Sequence, residues 1–156
     1  MNTKAVIYAR VSSKEQEEGG YSIDAQLDLL RSYAKDNSVD VLKEYIEVES
    51  AKQAGRHEFK EMLKFIKSEI KSGKKNPCKM ILVEKTDRLY RNIPDYATID
   101  DLKINLNFVK ENIIYNENSH SSQKFMHGIK VLMAKNFIDN LSEETRKGMM
   151  KKAEQG

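Results

Sequence analysis

Apolar runs that break abruptly into polar residues constrain this chain most. Residues 4–11 (KAVIYARV) gather apolar and β-branched side chains, then give way to SSKEQEEGG, a loop rich in Ser, Lys, Glu and Gly. The stretch MILVEK at residues 80–85 behaves in the same way and leads straight into TDRLYR. Short continuous apolar runs bounded by such signals are expected of buried strands. Residues 41–48 read as a further, partly alternating strand, and NFVKENIIYNEN at 107–118 as one or two more. Helical spacings lie between these runs. Ser22 is a suitable N-cap for a helix whose apolar face is Ile23, Leu27, Leu30 and Ala34, and residues 36–40 break it. Phe59, Met62, Leu63, Ile66 and Ile70 mark one face of a helix ending near Gly73. Residues 93–102 carry a shorter helical pattern, with Pro94 tolerated in its first turn. Strands alternating with helices predict an α/β fold with a mostly parallel central sheet flanked by helices.

The pattern changes from about residue 122. Phe125, Met126, Ile129, Leu132, Met133, Phe137, Leu141 and Met149 recur at helical spacings without a proline. They predict one helix of about thirty residues, longer than a compact domain of this size needs. Residues 1–120 are therefore expected to form the α/β domain, and residues 121–156 a projecting C-terminal helix whose stripe packs on the sheet or on a partner chain.

A length of 156 residues suffices for one domain with a real core, and 39% hydrophobic against 33% charged residues is a globular balance. No apolar run is long enough to span a membrane, and the N-terminus does not resemble a secretory signal. Cys78 is the only cysteine, which excludes an internal disulfide and fits a reducing cytoplasm. His57, His120 and His127 have no partners at metal-ligand spacing, so no metal is expected. The net charge of +3 is unevenly placed. Residues 67–91 hold eight Lys/Arg against Glu69, Glu84 and Asp87, a local excess that makes nucleic acid the first partner to consider.

In α/β sheets ligands gather at the carboxyl ends of strands. The first strand delivers Arg10 and Ser12 there, the second leads to Glu47, Glu49, Ser50 and Arg56, and MILVEK leads to Asp87, Arg88 and Arg91. Arg88 and Arg91 are three apart, so a helical turn would place both guanidinia on one side. A serine among arginines without a histidine does not suit an acyl-transfer triad, which needs a general base beside the nucleophile. It suits phosphoryl transfer, in which guanidinium forks hold phosphate oxygens and offset charge growing toward the transition state. A nucleotide-binding α/β domain is a poorer reading, because EEGGYS lacks the G-x-x-x-x-G-K pattern.

YARVSSKEQ, KTDRLYRN and LSEETRKGM, in this order, resemble the serine recombinase family of resolvases, invertases and large serine integrases, over essentially the whole chain. The resemblance implies that this is an N-terminal catalytic domain that cuts and rejoins double-stranded DNA by transesterification, without a metal or nucleotide. On the matching positions Ser12 is the nucleophile that forms a 5′-phosphoserine link. Arg10, Arg56, Arg88 and Arg91 surround the scissile phosphate, with Asp87 the acidic residue of the D-R-L-x-R motif. Gln16, Gln26, Glu47 and Ser50 fall on supporting positions. The C-terminal helix resembles the family's dimerisation helix, which crosses the DNA minor groove, so Arg146, Lys147, Lys151 and Lys152 are expected to contact phosphates. Homodimers that pair into a synaptic tetramer, and a bacterial, phage or mobile-element source, follow from the same resemblance.

The chain departs from the family pattern at Ala51 and His57, where glycine and proline are frequent, and at Tyr90, which is bulkier than usual. It also ends within the long helix, like an excised catalytic domain of a large integrase. The rival reading is a non-catalytic DNA-binding or regulatory protein that keeps the fold. Four arginines retained beside Ser12 count against it.

Overall fold

The structure is a computed structural model that describes residues 2–13, 22–49 and 55–116, together with 119, 128 and 129. The chain divides into two compact units, Met1–Ser119 and His120–Gly156. The long helix predicted beyond residue 121 lies almost wholly outside the described residues.

The first unit is built on a five-stranded sheet of order β2-β1-β3-β4-β5. Its strands are β1 (Thr3–Ser12), β2 (Val39–Glu49), β3 (Met80–Val83), β4 (Asn105–Phe108) and β5 (Ile113–Tyr115). All neighbours are parallel except β4 and β5. The predicted mostly parallel α/β architecture is therefore observed, with each expected strand present and β3 shorter than the apolar run suggested.

Helix α1 (Ile23–Asp36) begins where Ser22 Oγ accepts the amide of Ala25 at 3.0 Å, the N-cap expected from sequence. Its Leu27, Leu30 and Ala34 pack on Ala5, Ile7 and Ala9 of β1 and Leu82 of β3. The alternate residues of β1 point the other way, where Tyr8 meets Phe59 of α2 (His57–Lys71) edge-on at 5.8 Å. The sheet is thus covered on both faces, which is why β1 needs the near-continuous apolar run seen in the sequence. The α2 stripe is buried as predicted at Phe59, Met62, Leu63 and Ile66, but its last buried residue is Glu69, and Ile70 is 36% exposed. Glu69 is drawn in because its carboxylate accepts from Lys74 Nζ at 2.6 Å and from the amide of Cys78 at 3.3 Å. Gly73, with φ of 74°, turns the chain after this helix in a conformation few other residues adopt.

Connection β1–α1–β2 places β2 on one side of β1, and β2–α2–β3 returns to the other. The order of strand addition therefore reverses between the parallel strands β1 and β3, the position where open α/β sheets form a ligand crevice. These strands are paired only at Val6–Ile81 and Ile7–Leu82, so their carboxyl ends are not joined by ladder bonds.

Candidate active site

The carboxyl ends of β1 and β2 carry the first half of the site. Strand register sets Arg10 beside Glu47 and Ser12 beside Glu49. Pleating directs Tyr8, Arg10 and Ser12 to the face that α2 covers. Helix α1 supports this strand end from the side: Gln26, buried at 1% exposure, donates to the Arg10 carbonyl at 3.0 Å and accepts from its amide at 3.2 Å. Gln26 thus acts as a substitute strand partner.

The second half comes from the short helix α3 (Thr86–Leu89) that follows β3. Arg10 crosses the crevice to it, donating from Nε to the Arg88 carbonyl at 3.0 Å and from Nη2 to the Asp87 carbonyl. Its Nη1 donates to Glu49 Oε2 at 3.3 Å. Arg88 itself is buried, whereas the Asp87 side chain is exposed and serves the site through its main chain.

Arg56, at the N-cap of α2, points inward. It donates to Tyr8 Oη and to the Leu89 carbonyl, both at 2.9 Å, and to Asp95 of α4 (Ile93–Leu102). Its guanidinium also lies 3.9 Å from the centroid of the Phe59 ring. Burial pushes the Tyr8 hydroxyl well above its ordinary pKa against the opposing pull of Arg56, so it stays protonated and donates to Glu47 Oε2 at 3.0 Å. The same Glu47 oxygen accepts the amide of Phe59 at 2.9 Å. A carboxylate from β2 therefore satisfies an open amide in the first turn of α2, a turn that Arg56 does not cap with its own side chain.

Glu49 is the hub of the cluster. Besides Arg10 it faces Arg91 Nη1 at 3.4 Å and Arg56 Nε at 3.9 Å. Three of the four expected arginines thus converge on one carboxylate beside Ser12, and the fourth, Arg88, joins through its main chain. Gln16, Ser50, Arg146, Lys147, Lys151 and Lys152 lie outside the described residues, as does Ala51.

One geometric expectation is corrected. Arg88 and Arg91 do not share a helical turn, because α3 ends at Leu89 and Tyr90 is extended (φ −100°, ψ 129°). Tyr90 leaves the helix to enter the core, packing on Tyr96 and Phe108 with ring centroids 5.4 and 6.1 Å away. Asn92 then takes an extended conformation to cap α4, accepting the Asp95 amide at 2.9 Å. As a result Arg88 is buried while the Arg91 side chain is 35% exposed. The basic segment 67–91 is likewise not one surface. It runs through β3, so Lys74, Lys75 and Lys79 lie before that strand and Lys85, Arg88 and Arg91 after it.

Three residues of the cluster were not singled out as site residues from sequence. Tyr8 has the strand period as a signal, standing two before Arg10 on the same face. Glu49 was visible from sequence only as one of three acids, with Glu47 and Asp87, that were candidates to take the serine proton. Asp95 has no local signal, because α4 is what brings it to Arg56.

An α/β sheet with a serine and a guanidinium cluster at its switch point defines a domain suited to phosphate chemistry. The chain belongs to the resolvase family, whose model "Resolvase, N terminal domain" matches residues 5–156. Among solved structures, a resolvase family site-specific recombinase from Streptococcus pneumoniae is similar over 97% of this chain and 99% of its own, with 28% identity and a TM-score of 0.64. The N-terminal catalytic domain of TP901-1 integrase is similar over 92% and 98% respectively, with 25% identity and a TM-score of 0.57. The chain therefore has the catalytic fold of serine recombinases. It is also 43% identical over 65 residues, 41% of this chain and 79% of the other, to uncharacterized immunity region protein 3 of Bacillus phage phi105.

Proposed function

We propose that this chain is the catalytic domain of a site-specific DNA recombinase with Ser12 as its nucleophile. The observation that carries the reading is the convergence of Arg10, Arg56 and Arg91 on a single anion position beside Ser12. Ser12 Oγ attacks the phosphorus of a DNA phosphodiester, and the bond from phosphorus to the 3′ oxygen breaks. The hydroxyl proton of the serine ends on the released 3′-hydroxyl, and the 5′-phosphate remains esterified to Ser12. Attack by another 3′-hydroxyl reverses the step and rejoins the strands, so no nucleotide is consumed. Several arginines suit this chemistry better than one. Each preorganised donor to a developing oxyanion is worth roughly 3–4 kcal/mol, and phosphate-ester cleavage has among the highest uncatalysed barriers. Double-stranded DNA is the proposed partner. The apolar stripe of residues 125–141 suits self-association into the dimers and tetramers that strand exchange between two sites needs.

The test is covalent capture. The full chain is incubated with a plasmid carrying the DNA around its own coding sequence, quenched in denaturant, and assayed for protein-linked DNA. Ser12→Ala should abolish the adduct and Ser13→Ala should retain at least part of it. An adduct that survives Ser12→Ala and disappears in Ser13→Ala overturns the assignment. No adduct from the unaltered chain favours the rival reading, a DNA-binding protein that keeps the fold without the chemistry.

A further inference from the structure

Glu49 occupies the position that the proposed reaction gives to a DNA phosphate. It is the strand neighbour of Ser12, its side chain is only 13% exposed, and it faces three guanidinia at 3.3, 3.4 and 3.9 Å. Its fit among them is loose. Glu49 Oε1 and Arg56 Nε are both buried, and among the described residues neither makes a hydrogen bond, although they face one another. Oε1 meets Arg91 at 3.4 Å and Arg56 at 3.9 Å, both longer than a good charge-assisted hydrogen bond. A planar carboxylate has two oxygens in one plane, too few to serve three forks arranged around it. The tetrahedral oxygens of a phosphate spread in more directions and suit bidentate guanidinium contacts. Glu47, two residues earlier, also has a buried Oε1 without a hydrogen bond among the described residues, but its Oε2 is held by the Tyr8 hydroxyl and the Phe59 amide, and the carboxylate that faces three guanidinia is Glu49.

We infer that Glu49 is an internal counter-anion, which holds the arginine cluster together in the DNA-free protein and is displaced when a substrate phosphate enters. This rests on reading the cluster as a phosphodiester site. Glu49 keeps the guanidinia close and neutralised without DNA, and it sets a threshold that stray anions do not pass. An incoming phosphate must compete with it, so the affinity of the resting protein for phosphate is held below what the arginines alone would give.

The test uses inorganic phosphate as probe, titrated into the full chain at constant ionic strength with chloride as the balancing ion. Glu49→Gln should bind phosphate about tenfold more tightly than the unaltered protein, equivalent to about 1.4 kcal/mol. It should melt at a lower temperature in chloride and be raised more steeply by phosphate. Glu44→Gln is the control: Glu44 lies on the same strand but pairs with exposed Arg31 at 2.6 Å, and its loss should leave phosphate affinity unchanged. Equal affinity in Glu49→Gln and the unaltered protein overturns the inference. If Glu49→Gln does not fold, Glu49→Asp keeps the charge and withdraws it by one methylene, and should give an intermediate gain; no gain there also overturns it. Covalent capture of DNA judges the other reading separately. An adduct with unchanged phosphate affinity in Glu49→Gln removes only the role of Glu49. Tighter phosphate binding without any adduct keeps that role and removes the recombinase chemistry.

Discussion

Arg56 joins five segments at one point. It reaches Tyr8 of β1, the Leu89 carbonyl of α3 and Asp95 of α4, lies over Phe59 of α2, and approaches Glu49 of β2. Only a planar fork with several donors can serve these partners together. Arg91, with its side chain 35% exposed, is far less deeply seated. Arg56→Lys should therefore lower the folding free energy by about 2–4 kcal/mol, since it opens a buried network, whereas Arg91→Lys should change it by less than about 0.5 kcal/mol. Urea titration of both variants measures the difference. Both should slow adduct formation by about a hundredfold or more, the loss expected for one preorganised donor. Near-normal cleavage in Arg91→Lys would show that this arginine attracts DNA only through its charge.

At the scale of elements, α2 is anchored at both ends by carboxylates that helical spacing does not reveal. Glu47 reaches the first turn from β2, and Glu69 closes the last turn onto Lys74 and the Cys78 amide. The hydrogen bond from Lys74 holds the Glu69 carboxyl below its ordinary pKa of 4.5 against the opposing effect of burial, with the Cys78 amide assisting. A carboxylate depressed in the folded state stabilises it fully above the unfolded pKa. That contribution is lost as pH falls through the folded value. Stability should thus decline on acidification below about pH 4.5, and Glu69→Gln should weaken that dependence, by a modest amount because Lys74 is itself solvent-exposed. Denaturant midpoints compared at neutral pH and in the acid range, for both proteins, provide the check. An unchanged acid slope in Glu69→Gln would place the dependence elsewhere, Glu44 with its Arg31 bond being the next acid held low.

Across the whole molecule, the sheet separates charges that are contiguous in sequence. Lys74, Lys75 and Lys79 belong to the amino-end approach to β3, and Thr3, Lys4, Lys75, Asn76, Pro77, Lys79 and Asn105 line a cavity of about 260 Å³ there. Lys85 and Arg91 flank α3, after the carboxyl end of β3, and Arg91 belongs to the arginine cluster. If DNA is held at the carboxyl end, Lys85→Gln should reduce the salt slope of DNA binding by about one counterion, and Lys75→Gln should leave it nearly unchanged. Fluorescence anisotropy with a generic duplex across a salt series reads both. Equal slopes for the two variants would mean that both ends of the sheet meet DNA.

Much of this protein was legible before its fold was seen, wherever the information is local. Period and capping depend on near neighbours, so the strand of residues 4–11, the Ser22 cap, the α2 stripe as far as Ile66 and the helix at 93–102 could all be read from spacing. The motif residues Arg10, Arg56, Arg88 and Arg91 were also visible, as was their position at strand ends. Their partners were not, because partnership here is non-local: register sets Glu49 beside Ser12, α4 carries Asp95 to Arg56, and Tyr90 breaks α3 to fill a core that β4 completes. Amino-acid order alone determined which charges the site would offer. The tertiary structure decided which are buried, which are exposed and which carboxylate stands among them, since those depend on distances across the sheet that no sequence spacing encodes.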